Sequence, residues 1–121
     1  MRDHTKLRAF ELVDDVVVKI YQATKCFPKD EMYGLTSQMR RAAVSAPSNI
    51  VEGCARESKI EYCRYLEIAF GSLRELHYQF CLSKRLGYLN ENDFIKYEPL
   101  IMEAEKVLGS LIRSVRKKDS S

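Results

Sequence analysis

Seven apolar residues in the C-terminal third, Phe94, Tyr97, Ile101, Ala104, Leu108, Leu111 and Val115, recur at intervals of 3, 4, 3, 4, 3 and 4. That alternation is the period of an α-helix carrying one oily seam, whereas a strand would alternate every second residue. Leu100, Val107 and Ile112 widen the seam to the breadth a helix needs inside a bundle. A helix of this kind cannot stand alone, so the rest of the chain must supply its partners.

It does so three times. Between Leu7 and about Lys25, Phe10, Val13, Val16, Val17, Ile20 and Tyr21 mark a second amphipathic helix, with Asp3 or Thr5 as its expected cap. Phe27-Pro28 ends it, and Pro28 with Asp30 and Glu31 opens a short helical turn before Gly34. Ser58 and Glu61 form a capping box ahead of a long stripe, Cys63, Leu66, Ala69, Phe70, Leu73, Leu76 and Phe80, which stops at Gly87. Gly71-Ser72 is an expected point of close helix approach, and Asn90 with Asp93 caps the last helix.

The segment Thr36 to Glu52, TSQMRRAAVSAPSNIVE, reads as the central helix. Leu35, Met39, Ala42, Ala43, Ala46, Ile50 and Cys54 share one face, and its small residues let neighbouring helices come close. Pro47 removes a backbone hydrogen bond at about 3 kcal/mol. A kinked but continuous helix is expected in preference to two short helices meeting at Ser45 and Ala46, with Ser45, Ser48 or Asn49 serving the freed carbonyl and Gly53 as a stop that the pattern could overrun to Cys54. The chain is thus expected to be all-α, one up-down-up-down antiparallel four-helix bundle over residues 1–121, with helices at about 7–25, 36–54, 58–86 and 91–117.

The apolar runs are no longer than three residues, so no membrane span or signal segment is expected and the location expected is cytoplasmic. Cys26, Cys54, Cys63 and Cys81 lie 28, 9 and 18 residues apart without the closely paired thiolates of a zinc site. Cys54, Cys63 and Cys81 read as apolar filler, and neither metal nor cofactor is expected. His77 lacks the E-x-x-H partner of a di-iron bundle and reads as a packing residue beside Leu76; phosphate-loop, dinucleotide and metalloprotease motifs are absent. No catalytic residue is assigned, and no enzyme is expected.

The net charge of +3 is a mild lean, so clustering after folding decides whether the basic residues matter. The candidate nucleic-acid-binding set is Arg40, Arg41, Arg56, Lys59, Arg64, Arg113, Arg116, Lys117 and Lys118. Helices two and four run the same way in such a bundle. Arg56, Lys59 and the tail from Arg113 to Lys118 are therefore expected at one end as a phosphate-binding patch. The competing reading pairs Arg40 and Arg41 with Glu52 or Glu75 and lets the tail fray into solvent. Tyr62, Tyr65 and Tyr78 lie beside the basic residues, either to stack on bases or to sit at boundaries.

FPKDEMYGLTSQMRRAAVSAPSNIVEGCAR (27–56) and EYCRYLEIAFGSLRELHY (61–78) closely resemble the four-helix-bundle proteins encoded in intervening sequences of bacterial 23S ribosomal RNA genes. The resemblance covers nearly the whole chain and implies a left-handed up-and-down bundle. It also suggests kinship with the accessory protein of diversity-generating retroelements, a ring-shaped pentamer that works with nucleic acid and a reverse transcriptase. It brings no enzymatic activity. Gln38, Arg40, Arg41, Ser45, Pro47, Asn49, Glu52, Gly53 and Glu75 carry across as motif positions without assigned roles. The expectation is a non-enzymatic homo-oligomer, a pentamer on the resemblance, that binds RNA or DNA through clustered Arg and Lys. The alternative is a protein-interaction scaffold with structural arginines.

Overall fold

A computed structural model describes residues 2–119, with side chains as far as Lys117, and every regular element among them is helical. α1 spans Arg8–Thr24, α2 Leu35–Cys54, α3 Lys59–Arg85 and α4 Glu91–Asp119, with 3₁₀ turns at His4–Lys6 and Lys29–Glu31. α1 and α3 each pack against α2 and α4, so the four helices close a square in chain order. Cross-helix pairs fix the antiparallel register. Met39 meets Ser83, Ser45 meets Ser72, and Gly53 meets Tyr65 along α2 and α3. Arg74 and His77 of α3 likewise meet Glu105 and Glu98 of α4. The architecture is a four-helix bundle.

The helix ends follow local chemistry. Ser58 Oγ accepts the Glu61 amide at 3.2 Å, and Asn90 Oδ1 accepts the Asp93 amide at 2.8 Å. Gly87, at φ 79°, closes α3: its own amide bonds the Lys84 carbonyl and the Tyr88 amide bonds the Ser83 carbonyl, both at 3.0 Å. The expected cap of α1 is displaced. Asp3 instead caps the preceding 3₁₀ turn, accepting from the Thr5 amide and hydroxyl, and Leu7 opens α1 without a side-chain bond.

α2 runs unbroken through Pro47, whose ring is buried. The Asn49 amide does not serve the carbonyl of Ala43, four residues before the proline; it donates to the Ser45 carbonyl at 2.8 Å and to Ser45 Oγ at 3.1 Å. The helix ends at Cys54, one residue past Gly53, at the expected bound. A Cβ at Gly53 would lie 2.8 Å from Tyr65 Cβ, so the missing side chain is what lets α2 and α3 touch. Gly71 faces open space, and the close approach there belongs to Ser72, whose hydroxyl lies 2.9 Å from that of Ser45.

The core is built from Ile20, Met39, Ile50, Leu66, Leu73, Leu76, Phe80, Ile101 and Leu108, all fully enclosed. On α4, Ile112 takes the buried position and Leu111 the half-buried one, because the helix rotates slightly over a strict seven-residue seam. Tyr21 points out of the core, 41% exposed. The glycines yield opposite expectations under one substitution. Gly53→Ala overpacks the α2–α3 contact and costs about 1–3 kcal/mol, whereas Gly71→Ala gains up to about 1 kcal/mol of helix propensity. Denaturant midpoints of the two variants, falling on either side of the parent, check both.

Candidate nucleic-acid interface

The basic residues fold into two separate places. One is a groove of about 580 Å³ where the end of α1 meets the start of α2, lined by Tyr21, Met32, Tyr33, Thr36, Arg40 and Arg41 among others. Arg40 is fixed there. Its Nε donates to Thr24 Oγ1 at 2.9 Å, and its guanidinium lies 4.7 Å from the Tyr21 ring centre, so it ties α2 to α1. Arg41 is exposed and makes no hydrogen bond or ion pair among the described residues. The expected pairing of either arginine with Glu52 or Glu75 does not occur; Glu75 instead accepts from Gln79 at 3.2 Å.

The groove floor and rim are suited to a ligand with both charge and a flat face. Tyr33 stands 91% exposed on the rim, and the buried Thr36 Oγ1 has no hydrogen-bond partner. Glu31 takes the Leu35 amide at 3.0 Å. That leaves the Thr36 and Ser37 amides as the remaining donors of the first turn, beside the positive end of the helix dipole.

The second place is the opposite end of the bundle. Arg2 Nη1 donates to the Arg56 carbonyl at 2.7 Å, and the Arg2 guanidinium lies 4.0 Å from the Tyr62 ring centre. Arg56 donates to Tyr65 Oη at 2.9 Å. Lys59 shares a small cavity with Arg2, Tyr62 and Val115, so the start of α3 and the last turns of α4 do meet. Arg56, Lys59 and Arg64 are exposed and have no carboxylate partner among the described residues. The tail is not frayed: α4 stays helical to Asp119, Arg116 pairs with Glu67 of α3, and Arg113 donates to Ser110 Oγ at 3.2 Å. Lys117 is exposed on the same helix, and Lys118 lies outside the described side chains. Of the tyrosines expected to stack, Tyr62 is buried, its hydroxyl pushed up to about 12 chiefly by that burial, and Tyr65 is held by Arg56. Tyr78 remains exposed, sharing a cavity with Arg74 and His77 and none of the candidate basic residues.

A third cluster lies midway along α3 and α4. His77 Nδ1 is 2.9 Å from Glu105 Oε1, and its Nε2 is 2.9 Å from Glu98 Oε2. Cys81 Sγ donates to the same Glu98 oxygen at 3.7 Å, and Arg74 holds the other Glu105 oxygen at 2.7 Å. Burial works against a charged imidazole, but the bonds to Glu98 and then Glu105 outweigh it and hold the His77 pKa above the ordinary histidine value. Burial, followed by the Glu98 charge, raises the Cys81 thiol.

Residues 5–110 match the family model described as 23S rRNA-intervening sequence protein. The chain belongs to that family. The curated proteins contain no match. Among solved structures, a protein of unknown function from the S23 ribosomal protein family of Bacteroides thetaiotaomicron VPI-5482 superposes with a TM-score of 0.79. It is 22% identical, over 86% of this chain and 97% of that one, and supports the fold alone.

Two features of this family member escape a reading by sequence. Tyr21 and Tyr33 flank Arg40 and Arg41 only after α1 turns back on α2. The available signal was Met32-Tyr33, two adjacent large apolar groups just ahead of Gly34 in the link. The polar cluster had a plainer signal, since His77 and Cys81 are four residues apart on one helix face. Because folding raises the His77 pKa, the bridge across α3 and α4 stabilises fully below the ordinary value of 6.5 and fades as pH rises through the raised one. In metal-free buffer, His77→Gln therefore lowers the melting temperature more at about pH 6 than at about pH 8. A pH-independent difference between the two proteins would refute this.

Proposed function

We propose that this bundle is a non-enzymatic, cytoplasmic protein that self-associates and binds single-stranded nucleic acid, RNA in the first instance. The observation that carries the reading is the groove between α1 and α2, where the unpaired Arg41 stands beside the exposed ring of Tyr33. A phosphate is attracted by Arg41 and the first-turn amides of α2, while a base stacks on Tyr33, a platform that tolerates any sequence. Arg56, Lys59 and Arg64 supply further unpaired positive charge at the far end, and a strand long enough to span the rod meets both. The adjacent exposed acids Glu57 and Glu61 keep that end modest in affinity.

Fluorescence titration of a single-stranded RNA across a salt series tests this. Tyr33→Ala is expected to weaken binding by about 1–3 kcal/mol, as loss of one stacked base does. Arg41→Ala is expected to lower the slope of log affinity against log salt by about 0.7, one phosphate contact on a single strand. An Arg56→Ala/Lys59→Ala/Arg64→Ala variant is the comparator. If it alone weakens binding, the groove is not the interface, and salt-independent retention overturns nucleic-acid binding altogether.

A second reading has its own support. Met32, Tyr33 and Val44 expose apolar surface on the same side, which suits a protein contact and leaves Arg40 structural. Self-association favours this face as well. The kinship with the retroelement accessory protein that the sequence suggests makes a ring the assembly to look for. Light scattering is expected to give a multiple of the 14.1 kDa chain, with five copies at about 70 kDa. A mass of 14.1 kDa throughout removes self-association.

A further inference from the structure

We infer that His77, Cys81 and Glu98 form a binding site for one divalent transition ion, zinc foremost, which bridges α3 and α4. His77 Nε2, Cys81 Sγ and a Glu98 oxygen already lie within 4.8 Å of one another. The Nε2 to oxygen distance is 2.9 Å and the sulfur to oxygen distance 3.7 Å. Ligand atoms about 2.0–2.3 Å from a tetrahedral zinc lie a little over 3 Å apart, so a small opening of the pair and a closing of the sulfur seat the ion. The donor set of imidazole, thiolate and carboxylate suits zinc rather than calcium or magnesium, which take oxygen ligands alone.

The surroundings fit a metal site more closely than a chance polar cluster. Glu105 lies against the other ring nitrogen, Nδ1, at 2.9 Å. A carboxylate there holds the tautomer that leaves Nε2 free for the ion, the usual support for a metal-bound histidine. Glu105 is itself 8% exposed and matched by Arg74 at 2.7 Å, which leaves Glu98 as the carboxylate for a cation. The three ligands are half-buried, and a cavity of about 320 Å³ lined by Arg74, His77, Tyr78 and Cys81 lets the ion enter and a solvent oxygen complete its shell. Binding displaces the thiol proton of Cys81 and any proton on Nε2 into solvent. Beyond that loss of protons and the new coordination bonds, no bond is made or broken.

Cobalt(II) reports the site directly, since only thiolate ligation gives a near-ultraviolet charge-transfer band. The metal-free protein titrated with cobalt(II), then displaced with zinc, is expected to show that band at one equivalent and to lose it to zinc. Cys81→Ser abolishes the band, while Cys26→Ser, which removes the exposed thiol, leaves it. His77→Gln weakens zinc binding at least tenfold, and Glu105→Gln by about 10- to 100-fold as loss of an orienting carboxylate does. Zinc raises the melting temperature of the parent but not of His77→Gln, and helical circular dichroism confirms that each variant is folded. No band in the parent, a band that survives in Cys81→Ser, or one that disappears with Cys26 overturns the site.

Discussion

Contact between α2 and α3 at almost backbone distance is what the rest of the structure depends on. Gly53 admits the Tyr65 side chain where any Cβ would collide, Ala42, Ala43 and Ala46 keep the middle of the helix thin, and Ser45 meets Ser72 directly. Helices that approach this closely gain dispersion contacts along their length, and they also lose freedom to slide. The buried Ser83 hydroxyl, 3.2 Å from Met39 Sδ and 2.8 Å from the Gln79 carbonyl, pins the far end of the same pair. With α2 and α3 held in one register, α1 and α4 can only close the remaining two sides.

Both candidate sites follow from that closure. Arg40 reaches back to Thr24 and Tyr21, which draws α1 toward α2 and leaves Arg41, the next residue round the helix, facing out. The consecutive arginines thus divide the work: one holds the wall of the groove and the other is available inside it. On the opposite side, α4 brings two glutamates seven residues apart against a single histidine of α3. Seven residues are two helical turns, so Glu98 and Glu105 sit one above the other and enclose the ring.

Helix number, order and burial were legible because three- and four-residue spacing survives any change of neighbour. Single-residue roles were less so. Pro47 and Pro99 both sit inside helices that run on, since packing on the bundle outweighs one missing hydrogen bond at each. Gly53 reads as a helix-end residue because glycine usually is one there, and only the location of Tyr65 shows its second role in letting α2 and α3 touch. The groove was invisible for a similar reason: Tyr21 belongs to the apolar period of α1 by spacing but lies just past its edge. The sequence around His77 offers only a missing E-x-x-H partner and the adjacent Leu76, whereas Glu98 and Glu105 stand on another helix and no local pattern points to them.

α1 is shorter than the helices it serves, at 17 residues against 27 in α3, or about 25 Å against 40 Å. The segment ahead of it makes up the shortfall: the Arg2 amide bonds the Cys54 carbonyl at 3.1 Å and its guanidinium covers Tyr62. One corner of the box is therefore walled by a short 3₁₀ turn and its flanking chain rather than by α-helix, with no buried apolar group in the turn to keep it shut. Opening of that segment would wet Cys54 and Tyr62 and unsettle Arg56 while all four α-helices stay intact.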